Sequence, residues 1–407
     1  MKRARARWGA GFILICLVSG FWSWVSLQNP REDFIYMYVG SAVYAHGQNP
    51  YDSMTFQNAL SYFLGRSNSY PSRFYASPLP PWDFVLLRFL PVFSYRTAFY
   101  LWTFIIFLSL VATILMLLYL AGFPVGEGRS WLAVLAFSSF PGLVHGVFYH
   151  RLAIFVFAVF IGGLFLWKKG HEDLSAFTWG FLFLLPQWSL CVLFFLLINK
   201  KWRASAISLW LAAFGFLSLF VGCGSLIEWK DFALSLFHYG TQFVFFDDQS
   251  LVVEIYKSIH FFVFLRAAAF ASLFEPSSLL QLARKMSEIF SGLLIVWISY
   301  RPGSVEKRLA RVLSVALLGS LYSHCGDQIW ILPLFLTTLK EIRSRKIVVW
   351  FLLTLLSANL LLIPNYRALP SLFWFWSGYW SVGYLAVLGI FWIWNTRNLS
   401  SGTELKV

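Results

Sequence analysis

Charge is what this sequence has least of. Asp, Glu, Lys and Arg make up 12% of its 407 residues, against 59% hydrophobic and 20% aromatic residues. With a mean hydropathy of +0.67, the chain has too little polar side-chain surface for an ordinary soluble domain. Cysteine is scarce as well. Cys16, Cys191, Cys223 and Cys325 stand far apart and form no C-x-x-C pair, which supports neither a disulfide framework nor a zinc site. The period-two alternation of a membrane β-barrel is missing. So are a P-loop and a G-x-G-x-x-G turn, which leaves nucleotide binding and nucleotide cofactors without a motif.

Apolar runs recur instead from end to end, at roughly the 17–25 residues a helix needs to cross a bilayer. Hydrocarbon offers the backbone no hydrogen bonds, so such runs must be helices. The expected class is an all-α polytopic membrane protein, one integral-membrane domain over residues 1–407 with about twelve crossings. The run Trp8–Leu27 follows Lys2, Arg3, Arg5 and Arg7 with no small-residue cleavage site after it, and reads as a retained first helix. Residues 28–96 form a first extracytoplasmic loop. Spans follow at 97–121, 130–148 and 151–167. The run 174–198 is split at Pro186-Gln187 into two short crossings whose ends, His171-Glu172-Asp173 and Lys200–Arg203, lie on one side. After a span at 204–223 comes a second extracytoplasmic loop, 224–277, whose helices lie at the interface. Further spans are expected at 278–300, in the run 309–339 broken at Ser323–Asp327, at 347–364 and at 376–394. The formal charge of +14 sits in the short basic turns between runs. That distribution marks cytoplasmic turns and cytoplasmic termini of a multi-pass cell-membrane protein, not a nucleic-acid surface.

Polar residues at membrane depth are the functional candidates. Glu32-Asp33 opens the first loop. A carboxylate there serves either as a base facing a lipid-borne substrate or as a helix cap. Three breaks concentrate the others: His145 with His150-Arg151, Pro186-Gln187, and His324 with Asp327. If the short helices pack together, the breaks point into one cavity below the outer surface, covered by the loop carrying Asp33. Asp327 is one helical turn from His324 and could orient its imidazole. Asp247-Asp248 suits either a divalent ion or a solvated acidic turn.

Several of these stretches resemble a known family. Asp33-Phe34-x-x-Tyr36, Ala45-His46-Gly47-Gln48-Asn49-Pro50-Tyr51-Asp52, and Phe74-Tyr75-x-x-Pro78-Leu79 with Pro91 resemble the first outer loop of glycosyltransferase family 87. Leu185-Pro186-Gln187, Gln249-Ser250-Leu251 and Ser323-His324-x-x-Asp327 resemble later elements of that family, in the family's order. The resemblance covers residues from about 29 to 340. It implies a GT-C-type helical bundle with juxtamembrane helices on the outer side. It also implies a metal-independent, inverting enzyme without a cofactor. Such an enzyme moves a hexose, mannose favoured, from a polyprenyl-phosphate donor to a lipid or glycan acceptor at the extracytoplasmic face. Asp33 would be the general base and His324 would meet the donor phosphate, with Tyr36, His150, Arg151, Gln187 and Asp327 lining the substrate site. Two departures stand out: Leu185 replaces the family's lysine before Pro-Gln, and Tyr149-His150-Arg151 stands where a Gly-Gln pair is common. Arg151 would then supply the missing positive charge. A transporter or flippase for a lipid-linked glycan is the alternative class, since its intramembrane polar residues would look similar.

The charge distribution makes the topology testable. A Ser67→Cys variant should react with an impermeant thiol reagent added outside intact cells. Labelling from the cytoplasmic side alone would overturn the assignment.

Overall fold

The computed structural model describes residues 2–27, 32–64, 79, 81–124, 128–148, 150, 152–223, 231 and 303–319, with a few further positions between 293 and 352. Every regular element among the described residues is helical. In chain order they are α1 (Lys2–Leu27), α2 (Glu32–Ala45), α3 (Ser53–Leu64), α4 (Pro81–Leu87), a 3-10 turn (Leu90–Val92) and α5 (Tyr95–Ala121). Then come α6 (Gly128–Ser138), α7 (Pro141–Phe148), α8 (Leu152–Lys168), α9 (Glu172–Gly180), a second 3-10 turn (Phe181–Leu184), α10 (Pro186–Ile198), α11 (Trp202–Cys223) and α12 (Val305–Gly319).

Among the described residues, two helices, over Trp8–Leu27 and Tyr95–Ala121, are long and apolar enough to cross a membrane. Their side chains are arranged for lipid. On α1, Trp8, Phe12, Leu17, Phe21 and Trp24 are exposed, while Ser19, Ser23 and Ser26 are buried. On α5, Tyr100, Phe104 and Leu108 face out, while Thr103, Ser109 and Thr113 are buried. A helix in water would do the reverse. Hydrocarbon gives large apolar groups no reason to turn inward, and small residues let neighbouring backbones approach. The inward hydroxyls of α5 bond the preceding turn, Thr103 Oγ1 donating to Phe99 O and Ser109 Oγ to Ile105 O, both at 2.8 Å. The chain is in these respects a helical membrane protein. The expected spans at 347–364 and 376–394 lie almost wholly outside the described residues.

The chain divides into two compact units. One comprises Met1–Met116 with Leu143–Leu251, the other Leu117–Gly142 with Val252–Val407. In the second unit, Ser130 Oγ donates to Pro124 O at 2.5 Å near the start of α6. Ser304 heads α12, accepting from Arg308 N through its carbonyl and from Lys307 N through its hydroxyl.

The breaks follow local chemistry. The stretch 130–148, expected as one span, is two helices. Ser139 N and Phe140 N close α6 onto Leu135 O and Phe137 O, and Pro141 then opens α7. Proline lacks the N–H that a continuing helix would need but fits a first helical position. The break at Pro186 was expected, and it is wider than one residue. Helix α9 ends at Gly180, a 3-10 turn follows, and Leu185 is extended at φ −127°, ψ 82°. The residue before a proline is pushed out of the helical region, and Pro186 restarts the helix as α10. The two ends of the interrupted run meet. Lys201 Nζ reaches both Glu172 carboxylate oxygens at 3.0 and 3.1 Å, and Arg203 Nη2 reaches Asp173 Oδ2 at 2.6 Å. These pairs are partly or well exposed, so each contributes at most about 1 kcal/mol.

Helices α8, α9 and α11 are packed through glycine. Ser175 Oγ donates to Gly163 O at 2.7 Å and Trp179 Nε1 to Phe160 O at 3.1 Å. The Trp179 ring stacks on Trp167 at 5.4 Å. A β-carbon on Gly163 would run into the Trp179 indole, whereas one on Gly162 would find its nearest neighbour, Met116 Sδ, at 3.8 Å. Gly163→Ala should therefore lower the melting temperature of the detergent-solubilised protein, at a cost of about 1–3 kcal/mol for overpacking. Gly162→Ala should raise it slightly, since alanine is favoured over glycine in helices by about 1 kcal/mol. Equal effects at the two positions would refute this account of the α8–α9 contact.

Candidate active site

The site is built around α2, the helix that begins at Glu32 and carries Asp33 in its first turn. From Phe34 to Tyr44 its described side chains are buried. A helix apolar on all sides must be enclosed on all sides, and aromatic rings do the enclosing. Phe34 lies 5.3 Å from Phe99 and 5.6 Å from Tyr95, so that face rests on the start of α5. Tyr38 joins it, its ring 5.3 Å from Tyr95 and its hydroxyl donating to Phe93 O at 2.9 Å. Tyr36, one turn from Asp33, stacks on Phe56 of α3 at 6.0 Å. Tyr44 stacks on Phe84 of α4, also at 6.0 Å.

His150, among the described residues, is a predicted site residue from outside α2 that this arrangement brings into ring contact with it. It sits in the turn between α7 and α8 with φ 53°, in the left-handed region, where histidine is among the less disfavoured residues. It is fully buried. Its carbonyl accepts from Trp102 Nε1 at 2.9 Å. Its Nε2 is 3.1 Å from Thr103 Oγ1. That hydroxyl already donates its proton to Phe99 O, so it must accept from the imidazole, which places a proton on Nε2. The ring packs 4.5 Å from Phe99 and 6.5 Å from Phe34, the residue after Asp33. Gln187 is the second residue of α10, and His145 falls within α7. Arg151, His324, Asp327 and Asp247-Asp248 lie outside the described residues.

The corner between α2 and α3 explains the run from His46 to Asp52. Gly47, at φ 70°, ends α2. Gln48 N bonds Val43 O and Gly47 N bonds Tyr44 O, a Schellman closure that satisfies the last carbonyls of the helix. Asn49 Oδ1 accepts from Tyr51 N at 2.9 Å, and Asp52 Oδ2 caps α3 by accepting from Thr55 N at 2.8 Å. Both bonds to Thr55 hold the Asp52 carboxyl below its ordinary range. Tyr51 Oη donates to Leu79 O at 2.7 Å, and its ring lies 5.9 Å from Phe84.

Two acidic residues escaped the sequence reading. Asp231 accepts from Asn49 Nδ2 at 2.6 Å, across 182 residues. Asp83, in the first turn of α4, is 1% exposed, and neither carboxyl oxygen has a hydrogen-bond partner among the described residues. Burial alone pushes its carboxyl well above the ordinary range, because desolvation disfavours the charged form. Nothing in Pro-Trp-Asp-Phe announces this, because an acid in a helix's first turn is ordinarily a solvated partner of the helix dipole. Among the described residues no three His, Cys, Asp or Glu side chains gather as a metal site.

The family model described as glycosyltransferase family 87 matches residues 79–323, more than half of the chain. The match takes in Asp83, His150, Arg151, Gln187 and Asp231. It leaves out Asp33 and Tyr36 on one side and His324 and Asp327 on the other. No curated protein and no solved structure matches the chain.

Asp83 sets a pH dependence. Unfolded, it releases its proton near the ordinary value of about 3.9; folded, it holds the proton to higher pH. The native state then binds more protons, so stability is full at acid pH and is lost as pH rises toward the folded value. Asp83→Asn removes the ionisation and keeps the shape. Its melting temperature should exceed the wild type's by a margin that is smallest at acid pH, near the unfolded value, and grows as pH rises above it. A margin independent of pH would mean that Asp83 is ionised and compensated.

Proposed function

The chain belongs to glycosyltransferase family 87, and from that premise we propose that it moves a hexose, mannose favoured, from a polyprenyl-phosphate donor to a glycolipid or glycan acceptor at the extracytoplasmic face. The bundle is of the GT-C type, embedded through about twelve crossings, with no metal in the reaction. Asp33 is the general base. It takes the proton of the acceptor hydroxyl as that oxygen bonds to the anomeric carbon. The bond from that carbon to the phosphate oxygen breaks on the opposite side, and polyprenyl phosphate leaves with the electron pair. The anomeric configuration inverts.

The observation that carries this reading is the seating of α2. Phe34, next to Asp33, is held in ring contact with Phe99 and His150, within the matched part of the chain on the α5 and α8 side. A base must be held within hydrogen-bond reach of its proton, and a helix gripped on every side can hold one. The developing charge on the departing phosphate needs cationic or donor groups. His324 supplies one, supported by Asp327 or by Arg151, the latter in place of the lysine that Leu185 replaces. His150 and Gln187 line the substrate site through the α7–α8 and Pro186 breaks, and Tyr36 follows Asp33 one turn along α2.

Asp33→Asn keeps the shape and removes the base, so the rate of transfer of tritiated mannose from polyprenyl phosphate to membrane lipids should fall about a hundredfold or more. Glu32→Gln should stay near the wild-type rate. If Asp33→Asn turns over normally while Glu32→Gln is dead, the base is Glu32. If both are active, neither carboxylate is the base.

A further inference from the structure

Among the described residues, Asn49 and Asp231 make a long-range polar contact outside the residues assigned above, Asn49 Nδ2 donating to Asp231 Oδ2 at 2.6 Å. The Asn49 amide is used at both ends: Oδ1 accepts from Tyr51 N, and Nδ2 donates to Asp231 Oδ2. The amide orientation is thereby set, since a flipped amide would aim N–H groups at Tyr51 N and a carbonyl at a carboxylate oxygen. The corner held by this bond is also where α2 ends, α3 is capped by Asp52, and Tyr51 reaches Leu79 beside α4. Helix α4 in turn packs on α11, the helix whose last residue is Cys223, eight positions before Asp231. The second outer segment thus grips the first at the far end of the helix whose near end carries Asp33.

We propose that Asp231 is a positioning residue: a clasp from the second outer segment onto Asn49 that sets how α2 is seated, and with it the acid at the start of α2. This rests on the proposed reading for the role of Asp33, but not for the clasp itself. Helix α2 is a stiff rod enclosed by rings, so a displacement at its C-terminal corner is transmitted along its axis to its first turn. Small misplacements of a catalytic group slow turnover strongly. Substrate affinity depends on other residues and should change little.

A side-chain exchange tests the clasp. Asn49→Asp keeps the acceptor for Tyr51 N but sets one carboxylate against another, a repulsive pair. Asp231→Asn alone keeps an acceptor for the Asn49 amide. In the double variant Asn49→Asp/Asp231→Asn the donor and acceptor change sides and the hydrogen bond returns. Two readouts are taken on the full-length protein. The first is kcat and KM for tritiated mannose transfer from polyprenyl phosphate, with total membrane lipid as acceptor. The second is amide hydrogen exchange of the peptide spanning residues 46–56, which needs no substrate.

Asn49→Asp should lower kcat about tenfold or more with the donor KM little changed, and should speed exchange of the corner peptide. Asp231→Asn, which keeps an acceptor but trades a charged one for a neutral one, should have a smaller effect than Asn49→Asp on both readouts. The double variant should recover both kcat and protection. A double variant no better than Asn49→Asp in exchange would overturn the clasp. Recovery of exchange without recovery of kcat would overturn its positioning role. Should the wild type transfer no sugar from this donor, the proposed function fails, and the exchange data still decide whether Asp231 holds the corner.

Discussion

Enclosure of α2 is the constraint on which the arrangement of the first unit depends. Its apolar character runs all the way round from Phe34 to Tyr44, so no orientation exposes a polar stripe to water. Neighbours must therefore cover it on every side, and they do so with rings: Tyr95 and Phe99 from α5, Phe56 from α3, Phe84 from α4. Aromatic pairs hold distance and tilt more tightly than aliphatic ones. The segments around α2 take their places from it, and any group on its first turn inherits a fixed position.

Backbone satisfaction is the second constraint, and it shapes the breaks. Where the chain leaves the helical path inside an apolar environment, each freed amide or carbonyl needs a partner. The turn at His150 meets this with side chains from α5, Trp102 donating to its carbonyl and Thr103 accepting from its ring. The break before Pro186 meets it with a 3-10 turn and with Trp188 N and Ser189 N bonding Leu185 O. The corner at Asn49 uses a Schellman closure, an Asx turn and a helix cap in seven residues. The bonds at this last corner give the His46–Asp52 stretch an architectural reading: it closes one helix, opens the next and receives Asp231.

The family match and the sequence resemblance divide the chain differently. The match runs over residues 79–323 and so takes in α4 through α12. The resemblance reaches outward to Asp33 at one end and to His324 and Asp327 at the other. Membership, and with it glycosyl transfer, is carried by the middle of the chain. The chemical roles proposed for the two ends rest on short motifs and on the seating of α2.

Sequence alone was enough for whatever depends on local composition. Apolar length marked runs over Trp8–Leu27 and 97–121, and both lie in helices long and apolar enough to cross a membrane, because a bilayer's thickness translates directly into residues of helix. Pro186 marked a break, because a proline's missing donor acts within its own turn. The ends of the interrupted run, at His171-Glu172-Asp173 and Lys200–Arg203, were expected on one side; that their charges pair is seen only in the structure. Pro141 carries the same signal, but inside 130–148, a run of the length expected for one span, its break shows only in the structure. What only the tertiary structure decided is which faces are covered and by what. The stretch from Glu32 to Ala45 reads as a polar, aromatic loop until three neighbours are packed against it. Asp83 reads as a solvated acid until α2 and α11 close over α4 and strip it of water. Asn49 and Asp231 have no reason to be paired at a separation of 182 residues; a hydrogen bond of that span exists because the chain's fold, not its order, makes them neighbours.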